Sequence, residues 1–129
     1  MREIKFKAWL KEERKMVNVE TLFIGINRLC FGNSKTEDLF FRDFEEVELM
    51  QYTGLKDKNG KEIYENDLIS CNKHKNIVVF FEGGCFKVKY LRNSTTTITC
   101  TLNSFLEKYK CKISRNIYEH PELLEEQKW

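Results

Sequence analysis

The residue types that most often carry catalysis are sparse in this sequence. Its 129 residues contain two histidines, His74 and His120, and five cysteines. Nucleophilic catalysis needs a base beside a serine or cysteine, and no such pairing stands out in the pattern. His120 precedes Pro121 and fits an exposed residue at the start of a helix. We therefore expect a protein that is not an enzyme.

Metal and phosphate motifs are equally weak. Cys71-x-x-His74 has the spacing of a ligand pair, but a structural zinc site needs four ligands and no second pair follows. The acidic residues at 45, 46 and 48 are typical of a solvated strand face. Gly83-Gly84 joins two predicted strands and precedes no helix, unlike a phosphate-binding loop. The sequence predicts no metal ion and no cofactor.

The clearest charge pattern is a basic region at residues 66–115, which holds nine Lys or Arg against three Asp or Glu. Residues 116–129 hold one against four. Basic side chains with an exposed tyrosine among them, Tyr90 or Tyr109, could form a nucleic-acid groove. The candidate residues are Lys73, Lys75, Lys87, Lys89, Arg92, Lys108, Lys110, Lys112 and Arg115. Alternatively, strand alternation places lysine on any solvent face, where it also protects edge strands from aggregation.

Short strands must position these side chains. Apolar and polar residues alternate at 4–9 and return at 16–19, which predicts an N-terminal hairpin. The β-branched and aromatic runs at 77–81 and 85–90 predict two more strands.

Helices are expected to be few. Residues 102–109 form the best helix candidate, with Asn103 or Ser104 as its N-cap. Pro121 favours a second helix over 121–127. Part of 36–46 is also compatible with a short helix.

The sharpest turn chemistry lies at 52–70. Asn59-Gly60 between extended flanks is a strong hairpin signal because both residues reach positive φ at low cost. Apolar residues on both sides should clamp this segment to a core. The residues assigned to this structural motif are Tyr52, Gly54, Asp57, Asn59, Gly60, Tyr64 and Asp67.

This segment carries a family resemblance. The run YTGL at 52–55, the run DKNGKEIYE at 57–65 and Asp67 resemble the signature of the YopX family. The runs REIKFKAW at 2–9 and NIYE at 116–119, followed by PELL at 121–124, are similar to it as well. The resemblance therefore spans nearly the whole chain.

The resemblance implies a β-rich accessory protein carried by phages and prophages of Gram-positive bacteria, with no general biochemical activity to carry over. Two positions depart from the family pattern. Asn66 stands where the family usually has Gly, and Leu10 stands where it usually has an acidic residue. Asn tolerates a left-handed backbone, so we expect Asn66 to form the same turn. Leu10 is a candidate surface residue particular to this member.

Length and composition indicate a single domain at 1–129. Hydrophobic residues make up 41% and charged residues 33%, which is typical of a folded, soluble protein. We expect a mainly β fold in which an N-terminal β-hairpin lobe at 1–51 packs with an SH3-like small barrel at 67–129, joined by the turn segment at 52–70. Five short strands with a helical turn before the last strand favour that barrel by analogy.

These observations favour a protein that acts by binding. The leading hypothesis is a protein-interaction module for host takeover or counter-defence, which binds a host or phage protein and could form a homo-oligomer. Leu10, Phe40 and Phe41 are its candidate contact residues, on the expectation that they are exposed. The alternative is a nucleic-acid-binding barrel using the basic face of 66–115. We expect the protein to lie in the cytoplasm of the bacterial host, away from membranes. The cysteines are spaced irregularly, charged residues interrupt any apolar stretch at the N-terminus that could be a signal peptide, and the apolar runs are too short to span a bilayer.

Overall fold

The computed structural model describes residues 2–33, 35–36 and 38–121, and these residues are mainly antiparallel β-sheet. The predicted fold class is confirmed at that level. The chain divides into two compact units, Met1–Tyr52 and Thr53–Trp129. The helix expected at 121–127 lies outside the described residues beyond Pro121.

The elements follow one another in a simple order. The strands are β1 (Phe6–Leu10), β2 (Lys15–Phe23), β3 (Arg28–Asn33), β4 (Asp38–Asp43), β5 (Val47–Lys56), β6 (Glu62–Tyr64), β7 (Asp67–Ser70), β8 (Ile77–Glu82), β9 (Cys85–Leu91), β10 (Thr97–Thr101) and β11 (Lys112–Asn116). The helix α1 (Leu102–Lys108) lies between β10 and β11, and two short 3-10 turns occur at Ile24–Ile26 and Phe44–Glu46.

The first unit is built on β1, which pairs with both β2 and β5. The sheet continues outward through β3 to β4, so β4 is an edge strand of the described sheet. The two-residue alternation of β1 places Ala8 and Leu10 on one face. They form a small buried cluster with Leu29 and Val47.

The short helix considered within 36–46 is wrong for most of that range. Residues 38–43 form strand β4, which pairs with β3 along its whole length, for example Phe31 with Phe40. Only Phe44–Glu46 turn, as a 3-10 segment in which Asp43 and Glu46 form a capping box. Antiparallel pairing with the preceding strand β3 has overridden the local preference of the acidic residues for a helix start.

The second unit contains a five-stranded sheet in the order β10-β9-β8-β7-β11. In the described residues β10 and β11 are the two ends of this sheet, so a closed barrel is not seen. Its core is larger than that of the first unit. Ile69, Val79, Val88 and Phe105 are among the ten buried residues of that core.

Helix α1 confirms the helix predicted at 102–109 to within one residue. Its N-cap is Thr101, rather than Asn103 or Ser104. The hydroxyl of Thr101 accepts a hydrogen bond from the backbone N–H of Ser104 at 3.2 Å. Thr101 takes the cap because it is the last extended residue of β10, and an N-cap residue needs extended backbone.

No helix in the described part of the chain combines the length and the apolar character that crossing a membrane would require.

Candidate binding sites

The turn between β5 and β6 is organised by Asp57, which is only 8% exposed. One carboxylate oxygen accepts hydrogen bonds from the backbone N–H groups of Asn59 and Lys61, at 2.8 and 2.9 Å. The other accepts from the backbone N–H of Ile113 at 3.0 Å. Asp57 therefore closes its own turn and also holds that turn against β11.

Electrostatics at Asp57 favour the ionised carboxylate. Burial acts to raise its pKa, but the hydrogen bonds from the backbone of Ile113, Lys61 and Asn59 outweigh burial and leave the pKa below its ordinary value. A carboxylate that accepts several backbone hydrogen bonds is stabilised in its charged form. This residue is therefore a structural anchor whose charge contributes to folding.

Glycines complete the turn segment where the backbone turns left-handed. Gly60 has φ of 80° and its N–H donates to the carbonyl oxygen of Asp57 at 3.0 Å. Gly54, within β5, has φ of 85°. Both values lie where a Cβ atom is strained. Glycine is therefore the residue best suited to either position.

Asn66 explains how the chain tolerates its departure from the family pattern. Its φ is 70°, a left-handed conformation that Gly also reaches easily. Its backbone N–H donates to Val79 and its carbonyl oxygen accepts from Ile117. Its side-chain amide donates to the hydroxyl of Tyr118 at 3.0 Å, a bond that Gly could not make. Asn66 thus keeps the backbone turn and adds a link to the segment after β11.

The remaining motif residues support the same segment. Asp67 accepts a hydrogen bond from the backbone N–H of Tyr64 at 2.8 Å, which closes the turn between β6 and β7. Tyr64 and Tyr52 are both buried. The backbone N–H of Tyr52 donates to the carbonyl oxygen of Lys5 at 2.9 Å.

A pocket of about 440 Å³ opens in the second unit, and we call it the basic pocket. Four parts of the chain supply its walls: the loop after β7, the end of β9, strand β10 and the end of α1. The lining residues are three cations, three aromatic rings and one aliphatic side chain: Lys73, Arg92, Lys108, His74, Tyr90, Tyr109 and Ile98.

The aromatic wall of the basic pocket is a continuous cluster. The ring centroid of His74 lies 4.6 Å from that of Tyr90 and 5.2 Å from that of Tyr109. Phe105 lies 5.1 Å from Tyr90 and 4.9 Å from Tyr109, centroid to centroid. Tyr90 and Phe105 are buried, whereas His74 and Tyr109 are half-buried. His74 and Tyr109 are therefore the rings with surface left for a ligand.

The surroundings of the aromatic wall shift the pKa values of two of its residues, His74 and Tyr90. Burial, with the charges of Lys73 and Lys108, lowers the pKa of His74, so the ring is predominantly neutral at pH 7. Burial also raises the pKa of Tyr90, whose hydroxyl stays protonated. The positive charge at the pocket therefore comes from the lysines and Arg92.

A second opening of about 280 Å³ shares Lys73, Lys108 and Tyr109 with the basic pocket and adds Lys110. In the described part of the chain, no acidic residue lines either opening. The ammonium of Lys108 lies 5.4 Å from the centroid of the Tyr109 ring. The two openings are neighbouring parts of one basic surface.

The other predicted cations do not line this surface. Lys87 and Lys89 lie on β9, where alternation directs them away from the face that carries Val88 and Tyr90. Lys87 also forms a salt bridge of 3.7 Å with Glu82. The remaining three, in the loop after β7 and on β11, are exposed and line neither opening: Lys75, Lys112 and Arg115. The basic side chains therefore divide into separate groups.

The first unit exposes aromatic side chains at its sheet edge. Phe40 and Phe41 on β4 are 53% and 44% exposed. Phe40 stacks on Phe31 with centroids 5.5 Å apart, and Phe41 lies 6.3 Å from Phe23. Successive residues of a strand point to opposite faces, so Phe40 and Phe41 lie on the two faces of this edge. We call Phe40, Phe41 and Phe23, which border the edge on its two faces, the edge aromatic surface.

The expectation that Leu10 is exposed is wrong. Leu10 is 2% exposed and packs with Ala8, Leu29 and Val47 in the core of the first unit. The register of β1 places it on the inner face, with its backbone paired to Lys15 and to Val47. An apolar residue at this position therefore extends the core.

The cysteines divide by exposure: Cys85 and Cys100 are half-buried, and the other three are buried. Cys30, Cys71 and Cys111 are buried free thiols. Burial raises the pKa of Cys111 to about 12, with a further contribution from its neighbour Cys71, so this thiol is not a nucleophile at neutral pH. In the residues that the structure describes, no three metal-ligating side chains converge. His74 belongs to the aromatic wall.

Sequence reasoning found the cations of the basic pocket but missed the part played by His74. It also left open whether Tyr90 or Tyr109 is exposed, and only Tyr109 is half-exposed. The available signal was the run Lys73-His74-Lys75, an aromatic ring between two lysines in a polar loop. Ile98 carried no signal, because one aliphatic residue in a threonine-rich strand looks like any other.

Fold and sites together define a small antiparallel β protein of two units, with a pinned turn segment and two unlike exposed surfaces. The family model described as YopX protein matches residues 5–125. The chain therefore belongs to the YopX family, as its motifs predicted.

A solved structure supports the same fold. The crystal structure of protein EF1440 from Enterococcus faecalis is similar to this chain with a TM-score of 0.64 and 28% sequence identity. The similarity covers 96% of this chain and 99% of that chain. Among curated proteins, the comparison finds no match.

Proposed function

We propose that the chain is a phage-type accessory protein that acts by binding a protein of the bacterial host or of the phage, in the host cytoplasm, and that it catalyses no reaction. Membership of the YopX family supports the phage-type origin. The single observation that carries the binding mode is the exposure of Phe40 and Phe41 on edge strand β4.

Two physical features make the edge aromatic surface suited to a protein partner. Large aromatic side chains lose unfavourable contact with water when a partner covers them, and they dominate interface energetics. An edge strand also offers backbone N–H and C=O groups that a partner strand can pair with. The guanidinium carbon of Arg28 lies 5.7 Å from the centroid of the Phe41 ring, and that of Arg42 lies 5.6 Å from the centroid of the Phe31 ring. Charged groups therefore border the aromatic ones. A second copy of the chain is one partner this surface could take.

The second unit supports a binding role as well. It contains a five-stranded sheet with α1 before the last strand. We propose, by analogy of this element order, that it is a variant of the SH3-like small barrel, a scaffold that hosts many binding functions.

The test compares exposed aromatics in the two units. Phe40→Ser with Phe41→Ser should abolish capture of a partner from lysate of infected host cells, or convert an oligomer to a monomer in size-exclusion chromatography with light scattering. Phe81→Ser is the matched control, because Phe81 is 52% exposed in the second unit. A wild-type protein that is monomeric and captures nothing, or equal losses from both variants, would count against the proposal.

Nucleic-acid binding is a second candidate function, favoured by one observation. Four basic side chains line the two neighbouring openings beside the aromatic wall: Lys73, Arg92, Lys108 and Lys110. In the described part of the chain, no acidic residue lines either opening. Salt-sensitive binding of single- or double-stranded fragments is expected. Absence of any binding at about 50 mM salt would exclude it.

A further inference from the structure

The basic pocket combines two features that a purely electrostatic surface does not need. Lys73, Arg92 and Lys108 reach one opening from three different parts of the chain. The same pocket is also lined by a cluster of aromatic rings, of which His74 and Tyr109 keep surface open to a ligand. Cations and aromatic rings that line one pocket suit a ligand with an anionic part and a flat part.

The anionic part is best matched by a phosphate. Lysine and arginine are the usual phosphate-binding side chains, and three of them can contact different oxygens of one group. In the described residues that line the pocket, no carboxylate competes for these cations. The ligand would therefore supply the missing negative charge.

The flat part is best matched by a nucleobase. Bases stack on aromatic side chains with little dependence on their identity, because every base has a π-face. The lowered pKa of His74 keeps its ring neutral, which preserves one nitrogen as a hydrogen-bond acceptor.

The size of the pocket restricts the ligand further. A volume of about 440 Å³ lies within the usual range for small-molecule sites, roughly 300–1,000 Å³. Bases in a duplex are stacked on one another and cannot reach such a wall, whereas an unpaired base can. The neighbouring opening lined by Lys110 would let a strand continue past the pocket.

We propose that the basic pocket is a nucleotide-binding site, which takes one unpaired nucleotide with its phosphate among Lys73, Arg92 and Lys108 and its base against His74 and Tyr109. This proposal makes the second candidate function, nucleic-acid binding, more specific. It rests on that function if the nucleotide is part of a nucleic-acid strand. A free nucleotide would offer the same chemistry, and the experiment separates the two sources.

The test uses the full chain and a fluorescent single-stranded DNA of about ten nucleotides, a length suited to a single small binding domain. Binding is followed by fluorescence anisotropy. Thymidine monophosphate, thymidine and inorganic phosphate then serve as competitors, and calorimetry measures the binding of each one directly. Thymidine monophosphate should compete at a lower concentration than either thymidine or phosphate.

Two charge-matched pairs of substitutions locate the site. Lys73→Glu with Lys108→Glu should weaken binding by about tenfold or more. Lys87→Glu with Lys89→Glu changes the net charge equally but lies on the opposite face of β9, and it should weaken binding by less than about threefold. Tyr109→Leu should weaken binding by about fivefold or more while the charge stays constant. Circular dichroism melting confirms that each variant is folded.

The outcomes separate the pocket from the broader function. Binding of thymidine monophosphate without binding of DNA would support the site with a free nucleotide as ligand and exclude the nucleic-acid function. DNA binding that both charge pairs weaken equally would overturn the site and keep the nucleic-acid function. Competition by phosphate as strong as that by thymidine monophosphate would overturn the base contact and hence the proposal. No binding of any ligand would overturn both.

Discussion

The two units differ in whether a helix packs aromatic side chains against their sheet. The first unit leaves Phe40 and Phe41 at an exposed sheet edge, whereas the second buries Phe105 at the centre of its core. The difference follows from α1, whose Leu102 and Phe105 pack into the core of the second sheet. The described first unit has strands and 3-10 turns only, so its outer strand has no such cover. Covered aromatics stabilise a fold, and uncovered ones are available to a partner.

The core of the second unit should respond most strongly to substitution. Phe105→Ala removes a 2% exposed ring and should lower the free energy of unfolding by about 3–5 kcal/mol, measured by urea denaturation. Leu106→Ala, on the same helix at a half-buried position, is the control and should cost less. Equal losses would show that Phe105 is not the main contact between α1 and the core of the second unit.

Substitution in the turn segment at 52–70 should cause the second largest loss in the free energy of unfolding. Asp57→Ala leaves three backbone N–H groups without their acceptor and should lower the free energy of unfolding by about 2–3 kcal/mol. Asp57→Asn keeps one acceptor oxygen and should lose less. A neutral effect of Asp57→Ala in urea denaturation would mean that water replaces the carboxylate at no cost.

Asp57 should also make the free energy of unfolding depend on pH, with a smaller effect than its replacement by alanine. Because the pKa of Asp57 is lowered below the ordinary value of 3.8, the unfolded chain takes up the proton first as the pH falls. The stability that its charge contributes is present above pH 3.8 and is lost as the pH falls through the lowered pKa. Urea denaturation from pH 6 to about pH 2 should show a loss that Asp57→Ala reduces. An identical acid profile for the variant would assign that loss to other groups.

The edge aromatic surface should show the smallest effect on stability. Phe40→Ser or Phe41→Ser alone should change the free energy of unfolding by no more than about 0.5–1 kcal/mol, since each ring is already about half exposed. Thermal melting of each variant beside Phe81→Ser measures this. A loss as large as that of Phe105→Ala would show that these rings are part of the core, and the contrast between the units would fail.

The sequence by itself determined most of the local structure and the family. Alternation at residues 4–9 and 85–90 specified strands, because side chains on a strand alternate between two faces. Asn59-Gly60 specified a turn, since both residues tolerate left-handed backbone. The motif at 52–65 specified membership of the YopX family.

Only the tertiary structure decided which faces are covered and which distant residues meet. Alternation assigns Leu10 to one face of its strand, but it cannot show that this face is buried. The tertiary structure shows that Leu10 packs with Ala8, Leu29 and Val47. The bond from Ile113 to Asp57 joins residues 56 positions apart. The basic pocket needs four separate segments brought together, and it excludes Lys87 and Lys89, although they belong to the same basic region. Strand register and helix packing fix these relations, and both depend on long-range contacts that no local pattern of residues encodes.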